Sequence, residues 1–179
     1  MKACLLLSAV LIAAPAVAQD MSAFHPGTAI PDHGPIATIV PDDALSEDAA
    51  FAVAFDVAEA AEPGAKSRAL ESPARLLNML VEAGVPAERV DLAIVVHGGA
   101  SKDLLASGAY AARHDGAENG STALLKALMA AGIEVYLCGQ SAAAHGIAKD
   151  DLVPGVRMSL SAMTAHARLQ QAGYTLNPF

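Results

Sequence analysis

The chain has 179 residues, of which 54% are hydrophobic and 4% aromatic, with 19 acidic against 11 basic side chains and a formal net charge of −8. That length suits one domain, and the apolar content excludes wholesale disorder. The acidic balance, with no Trp, three Tyr and four Phe, argues against nucleic acid and anionic membrane as partners; capture of either rests on positive charge, and base stacking on aromatic rings.

Residues 1–18 read as a secretory signal. Lys2 supplies the charged start, an apolar stretch follows, and Ala16-Val17-Ala18 gives the small residues that a signal peptidase accepts. The stretch is short for a bilayer span of ~20 apolar residues, and Pro15 interrupts its end. Cleavage after Ala18 would leave ten basic against 19 acidic residues, a net charge of −9, and a single cysteine, Cys138. The expected location is periplasmic, with no membrane attachment after cleavage. Export routes oxidise thiols, and one cysteine forms no internal disulfide. Cys138 is then either a buried, inert packing residue or a reactive one.

Residues 19–50 read as a solvated arm that packs on a neighbouring subunit, because Pro26, Gly27, Pro31, Gly34, Pro35 and Pro41 break any periodicity. His25 and His33 lie in it without a third ligand. The folded domain is expected over 51–179. It opens with an apolar strand at 51–57. Ser72 as N-cap and Pro73 at the first helical position start a helix with the stripe Leu76, Leu77, Leu80 and Val81, closed by Gly84. A second strand at 92–96 ends in His97-Gly98-Gly99, and a polar, Gly-containing stretch leads to a helix over 119–131. The strand at 133–137 delivers Cys138, followed by one or two Ala-rich helical turns over 139–146. A fourth strand at 156–160, a helix capped by Ser161 and running to Ala172, and a last strand at 174–176 complete the chain. Ala83-Gly84-Val85, Ala131-Gly132-Ile133 and Ala172-Gly173-Tyr174 repeat one pattern, a glycine where a helix stops and the chain turns back to a strand. Repeated helix–glycine–strand units predict a doubly wound α/β domain, with a mostly parallel sheet of four or five strands and helices on both faces.

In such sheets ligands bind beyond the carboxyl ends of the strands. His97 and Cys138 are the residues at those ends. Cys138 also precedes a helical segment, where free N–H groups favour thiolate over thiol. There is no Cys-x-x-Cys, no dinucleotide-binding or phosphate-loop glycine pattern, and no hydrolase elbow at Ser141.

The segments Phe55-Asp56-Val57, Arg75-Leu76-Leu77-Asn78, Glu82-Ala83-Gly84-Val85 and Val95-Val96-His97-Gly98-Gly99-Ala100 are followed by Val135-Tyr136-Leu137-Cys138-Gly139-Gln140-Ser141. Leu152-Val153-Pro154-Gly155-Val156, Leu160-Ser161-Ala162-Met163-Thr164 and Leu169-Gln170-Gln171-Ala172-Gly173-Tyr174 come after it. In this order and spacing they resemble the DsrE/DsrF-like family, its exported members in particular. The resemblance implies a small parallel α/β domain that forms homotrimers or homohexamers. It also implies sulfur carried as a persulfide on a cysteine between a strand and an Ala-rich helix, the position of Cys138. Relay members that thiolate transfer RNA are cytoplasmic hetero-oligomers, so transfer RNA is not the expected end point here. The family also includes members with no established activity.

The expected function is a periplasmic sulfur carrier, sulfurtransferase-like rather than a classical enzyme, that uses no cofactor or metal. Cys138 accepts sulfane sulfur from a donor protein or small polysulfide and passes it to an acceptor, with His97 to orient or deprotonate it. One alternative is a non-catalytic oligomeric protein that assembles or binds a small molecule in the same cleft. A metal role for Cys138, His97 and His145 ranks last, because their spacing fits no known ligand pattern. N-terminal sequencing of the protein from a soluble periplasmic fraction should find Gln19 first; Met1 retained on a membrane-bound protein would contradict the export expectation.

Overall fold

The structure is a computed structural model that describes residues 20–46 and 48–177; the expected signal peptide lies outside the described residues. In chain order the elements are β1 (Phe24–His25), β2 (Ile36–Ala37), β3 (Phe51–Val57), α1 (Arg68–Glu82), β4 (Val90–Val96), α2 (Ser107–Ala111), α3 (Thr122–Ala130), β5 (Glu134–Cys138), α4 (Gly139–Ala144), β6 (Arg157–Ser159), α5 (Ala162–Gln171) and β7 (Thr175–Asn177). Five strands form one sheet in the order β6-β5-β4-β3-β7, and every pairing in it is parallel. The chain steps outward from β3 to β6, and α5 then carries it back to β7 on the far side of β3. This is the doubly wound sheet expected from the sequence.

Side chains alternate across a strand, so each central strand serves two layers. Val53, Phe55, Val57, Leu92, Ile94, Val96, Val135 and Leu137 form the main core with Leu70 and Leu77 of α1 and Leu124, Leu125 and Leu128 of α3. The alternate set, Ala54, Ala93 and Val95, meets Ala165 and Leu169 of α5. Alanines on that face let α5 approach the sheet closely. Gly84, Gly132 and Gly173 have φ of 92°, 85° and 95°, the left-handed conformation that ends a helix and that glycine adopts without a Cβ clash.

Four boundaries differ from expectation. α1 begins five residues before the expected Pro73: Ser67 is its N-cap, accepting from the Leu70 N–H at 3.3 Å. Leu70 is fully buried, so the extra turn gains core contacts that outweigh the cost of Pro73 inside the helix. Ser72 bonds the Arg68 carbonyl instead. The stretch after His97 is ordered as a 3₁₀ run, Gly98–Leu104, followed by α2, and it buries Leu104 and Leu105 completely. α3 starts at Thr122, because Asn119 Oδ1 accepts from the Ser121 N–H at 2.9 Å and holds a turn before it, while its Nδ2 donates to the Asp103 and Leu105 carbonyls, both at 2.8 Å. The fourth strand shortens to β6, a sheet edge with a neighbour on one side only.

The arm is also different: its middle packs on its own chain. β1 and β2 pair antiparallel, and Ile30 and Ile36 are buried. Completely buried Asn78 of α1 holds the arm. Its Oδ1 accepts from the Ile30 N–H at 2.8 Å, and its Nδ2 donates to the carbonyls of Ile30, His33 and Gly34 at 3.2, 2.9 and 3.0 Å. The Glu71 carboxylate accepts from the Gly34 N–H at 2.9 Å. The apolar 36–40 segment is split, since Ile36 is buried while Ile39 and Val40 stay exposed. Asn78→Ala leaves several buried backbone groups unpaired and should cost about 2–3 kcal/mol in stability. Urea unfolding measures this, and early proteolysis within 20–46 should accompany it; an unchanged midpoint with a protected arm would mean that other contacts hold it.

Candidate functional site

The alternation that builds the two layers also decides where polar side chains go. On the α5 face, Ala54 is followed by Asp56, Val95 by His97 and Tyr136 by Cys138, each at the carboxyl end of its strand. The register sets these ends side by side, with Val57 opposite Val96 and Val96 opposite Leu137. α5 closes the group from above. Its first turn is fixed by a capping box: Ser161 Oγ accepts from the Thr164 N–H at 3.1 Å, and Thr164 Oγ1 accepts from the Ser161 N–H at 3.0 Å. One turn further on, His166 Nε2 donates to Asp56 Oδ1 at 2.7 Å, while His97 Nε2 donates to Asp56 Oδ2 at 3.0 Å. Burial pushes the Asp56 carboxyl up, but the hydrogen bonds and charge of His97 and His166 outweigh it and hold the group below the usual aspartate range.

A cavity of about 320 Å³ opens between these elements, lined by Asp56, His97, Cys138, Ser141, Met163 and His166 among others. Cys138 is 5% exposed. Its Sγ accepts from the Ser141 N–H at 3.5 Å. Burial raises the thiol's pKa, yet the Ser141 hydroxyl and N–H, with the Ala162 and Gln140 N–H groups, bring it below the ordinary thiol value. α4 spans only six residues, so these local donors rather than a long helix dipole favour the thiolate. Ser141 Oγ also accepts from the Gly98 N–H at 3.0 Å, leaving its hydrogen free for sulfur. Gly98 holds that position at φ 54°, a conformation that a side chain would strain.

The structure thus brings the two sequence candidates, Cys138 and His97, to one cavity. His145 stands exposed at the end of α4, outside that lining. His25 bonds Thr38 in the arm instead. Among the described residues no group of three or more His, Cys, Asp or Glu is arranged to hold a metal ion; both Nε2 atoms of the histidine pair are occupied by Asp56. Sequence reasoning missed Asp56, His166 and Ser141. Asp56 carried a signal, being the only polar residue of β3, but nothing local marks His166. A larger hollow of about 580 Å³ lies along α5 and β6, lined by Tyr136, Met158, Leu160, Arg168 and Tyr174 among others, and it contains no thiol or imidazole.

The model of the DsrE/DsrF-like family matches residues 49–178. Two solved structures share the fold. A protein of unknown function from Methanobacterium thermoautotrophicum, MTH1491, is 21% identical with a TM-score of 0.55, and the ychN protein from E. coli is 18% identical with a TM-score of 0.52. Each match covers 72% of this chain and 99% of the other. No curated protein matches the chain.

The donors around Cys138 predict its titration. The rate of carbamidomethylation by iodoacetamide should rise with pH through a midpoint below the ordinary thiol value of ~8.5. Ser141→Ala removes one donor and should move the midpoint up; a midpoint that stays put would show that Ser141 does not act on the thiol.

Proposed function

The chain belongs to the DsrE/DsrF-like family, and from that premise we propose that it carries sulfane sulfur as a persulfide on Cys138. The observation that carries this reading is the one thiol among the described residues, surrounded by hydrogen-bond donors that favour thiolate, in a cavity at the carboxyl edge of the sheet. In loading, the Cys138 thiolate attacks the outer sulfur of a hydropolysulfide or donor persulfide. A new S–S bond forms to Cys138, the donor's S–S bond breaks, and the donor leaves as a thiolate that takes a proton from water. The sulfane sulfur keeps its oxidation state, so no reductant or oxidant is consumed.

The cavity volume suits a short polysulfide chain. A protein donor would have to reach Cys138 through the rim, where Met163 is 79% exposed. Export to the periplasm belongs to this reading, because an exported chain with one cysteine does not close an internal disulfide over its carrier thiol. So does assembly into a homotrimer or homohexamer, favoured by the exposed Ile39, Val40, Leu160 and Met163.

The test is intact-mass spectrometry of the purified protein after incubation with sodium polysulfide. Mass gains of whole sulfur atoms, lost on reduction, should appear on the wild type and be absent from Cys138→Ser, with the two proteins equal in thermal midpoint and in oligomer mass by light scattering. An unreactive wild-type thiol, with a Ser variant destabilised by a buried hydroxyl, would instead make Cys138 a packing residue of an assembly or small-molecule-binding protein.

A further inference from the structure

The carrier reading leaves Asp56, His97 and His166 without a task, although they form a tight titratable cluster beside the thiol. We propose that Asp56 holds His97 with its hydrogen on Nε2, so that His97 Nδ1 takes the proton of the thiol that removes sulfur from Cys138. The assignment rests on the carrier reading.

A carboxylate only accepts hydrogen bonds. Asp56 accepts at both oxygens, from His97 Nε2 and His166 Nε2, so the neutral rings both carry hydrogen on Nε2 and present a lone pair at Nδ1. The two rings differ in what surrounds that lone pair. His166 is 15% exposed, and its Nδ1 is buried with no hydrogen-bond partner. A proton placed there would face no acceptor. The His97 side chain is 32% exposed and lines the cavity. His97 is therefore the proton acceptor. Asp56 and His166 position it, with Asp56 balancing the imidazolium that forms. The other titratable group in the lining is Cys138 itself, and no Lys or Arg of the described residues lines the cavity.

Cys138 has little need of a base, since its donors already favour thiolate. An acceptor thiol differs: it arrives protonated at neutral pH and attacks only as thiolate. Its proton passes to His97 Nδ1. The acceptor sulfur then attacks the outer sulfur of the Cys138 persulfide, Cys138–S–SH. The acceptor gains an S–S bond, the S–S bond to Cys138 breaks, and its electron pair stays on Sγ as the thiolate that Ser141 stabilises. The sulfur is transferred without net oxidation or reduction, and the imidazolium returns its proton to water.

The experiment starts from full-length protein loaded with polysulfide and freed of excess reagent, and follows single-turnover release of sulfur across pH. Two small nucleophiles are compared: glutathione, a thiol that must lose a proton, and sulfite, which in mildly alkaline buffer is already deprotonated. His97→Gln should slow release to glutathione about 100-fold near neutral pH, and Asp56→Asn about tenfold or more. Release to sulfite should show no comparable loss in either. The deficit with glutathione should close as the pH rises to where the thiol ionises unaided, a change that a purely structural role would not produce. Equal losses with both nucleophiles, or no loss with glutathione, would overturn the assignment while leaving the carrier reading intact. A wild type that takes up no sulfur overturns the carrier reading and this assignment with it. If His97→Gln does not fold, His97→Asn and Asp56→Asn make the same comparison.

Discussion

A single carboxylate ties two neighbouring strands, β3 and β4, already joined by a parallel backbone ladder, to a helix that meets them through apolar packing. Asp56, the penultimate residue of β3, accepts from His97 after β4, and accepts from His166 on α5, a residue 110 positions along the chain. With the Asp56 side chain 36% exposed, each pair is worth about 0–1 kcal/mol, the range of solvent-reached ion pairs. Stability comes from elsewhere, from Ala165 and Leu169 buried against Ala54, Ala93 and Val95. What the carboxylate supplies is orientation. Sliding or rotating α5 would break the 2.7 Å contact to His166. The cavity wall that His166 forms follows from that contact.

Cys138 shows two effects of opposite sign in one residue. A thiol that is 5% exposed should behave as a small hydrophobe, with burial raising its pKa. Four hydrogen-bond donors from Gln140, Ser141 and Ala162 oppose that, and the donors prevail. Their arrangement depends on the fold at several removes. Ser141 donates to sulfur because its oxygen is held by the Gly98 N–H, and Ala162 is placed by the capping box at the head of α5. Burial of this thiol is therefore compatible with reactivity toward small sulfur species, and it restricts access for large ones.

Much of this was legible in the sequence because the relevant signals are local and periodic. The three Ala-Gly stops and the apolar strands predicted the winding of the sheet, and strand ends predicted that His97 and Cys138 would share an edge. Ser161 was recognisable as a cap because its partner Thr164 lies three residues on. The start of α1 was misread because a proline after a serine is a common helix opening, whereas here burial of Leu70 favoured an earlier one at Ser67. The middle of the arm looked solvated because its proline and glycine content says nothing about Asn78, some 45 residues away, which satisfies its backbone. His166 was invisible for the same reason: its partner lies at the other end of the domain, and only the return path of α5 brings them together.

That return path also explains why the site lies on this face of the sheet. β3, β4 and β5 follow one another outward, and their first-face residues are consumed by α1 and α3 in the main core. The second face receives one helix, α5, which must cross back from β6 to reach β7 beside β3. Small side chains at Ala54 and Ala93 let it lie close to the sheet, and its amino end then stands over the strand ends, where no side chain fills the space between helix and sheet. The polar residues at 56, 97 and 138 face that unfilled space because alternation assigns them to the α5 side. Opposite parity at any of the three would turn its side chain into the apolar core under α1 and α3. The strand parity that packs the core therefore also places a carboxylate, an imidazole and a thiol along one cavity.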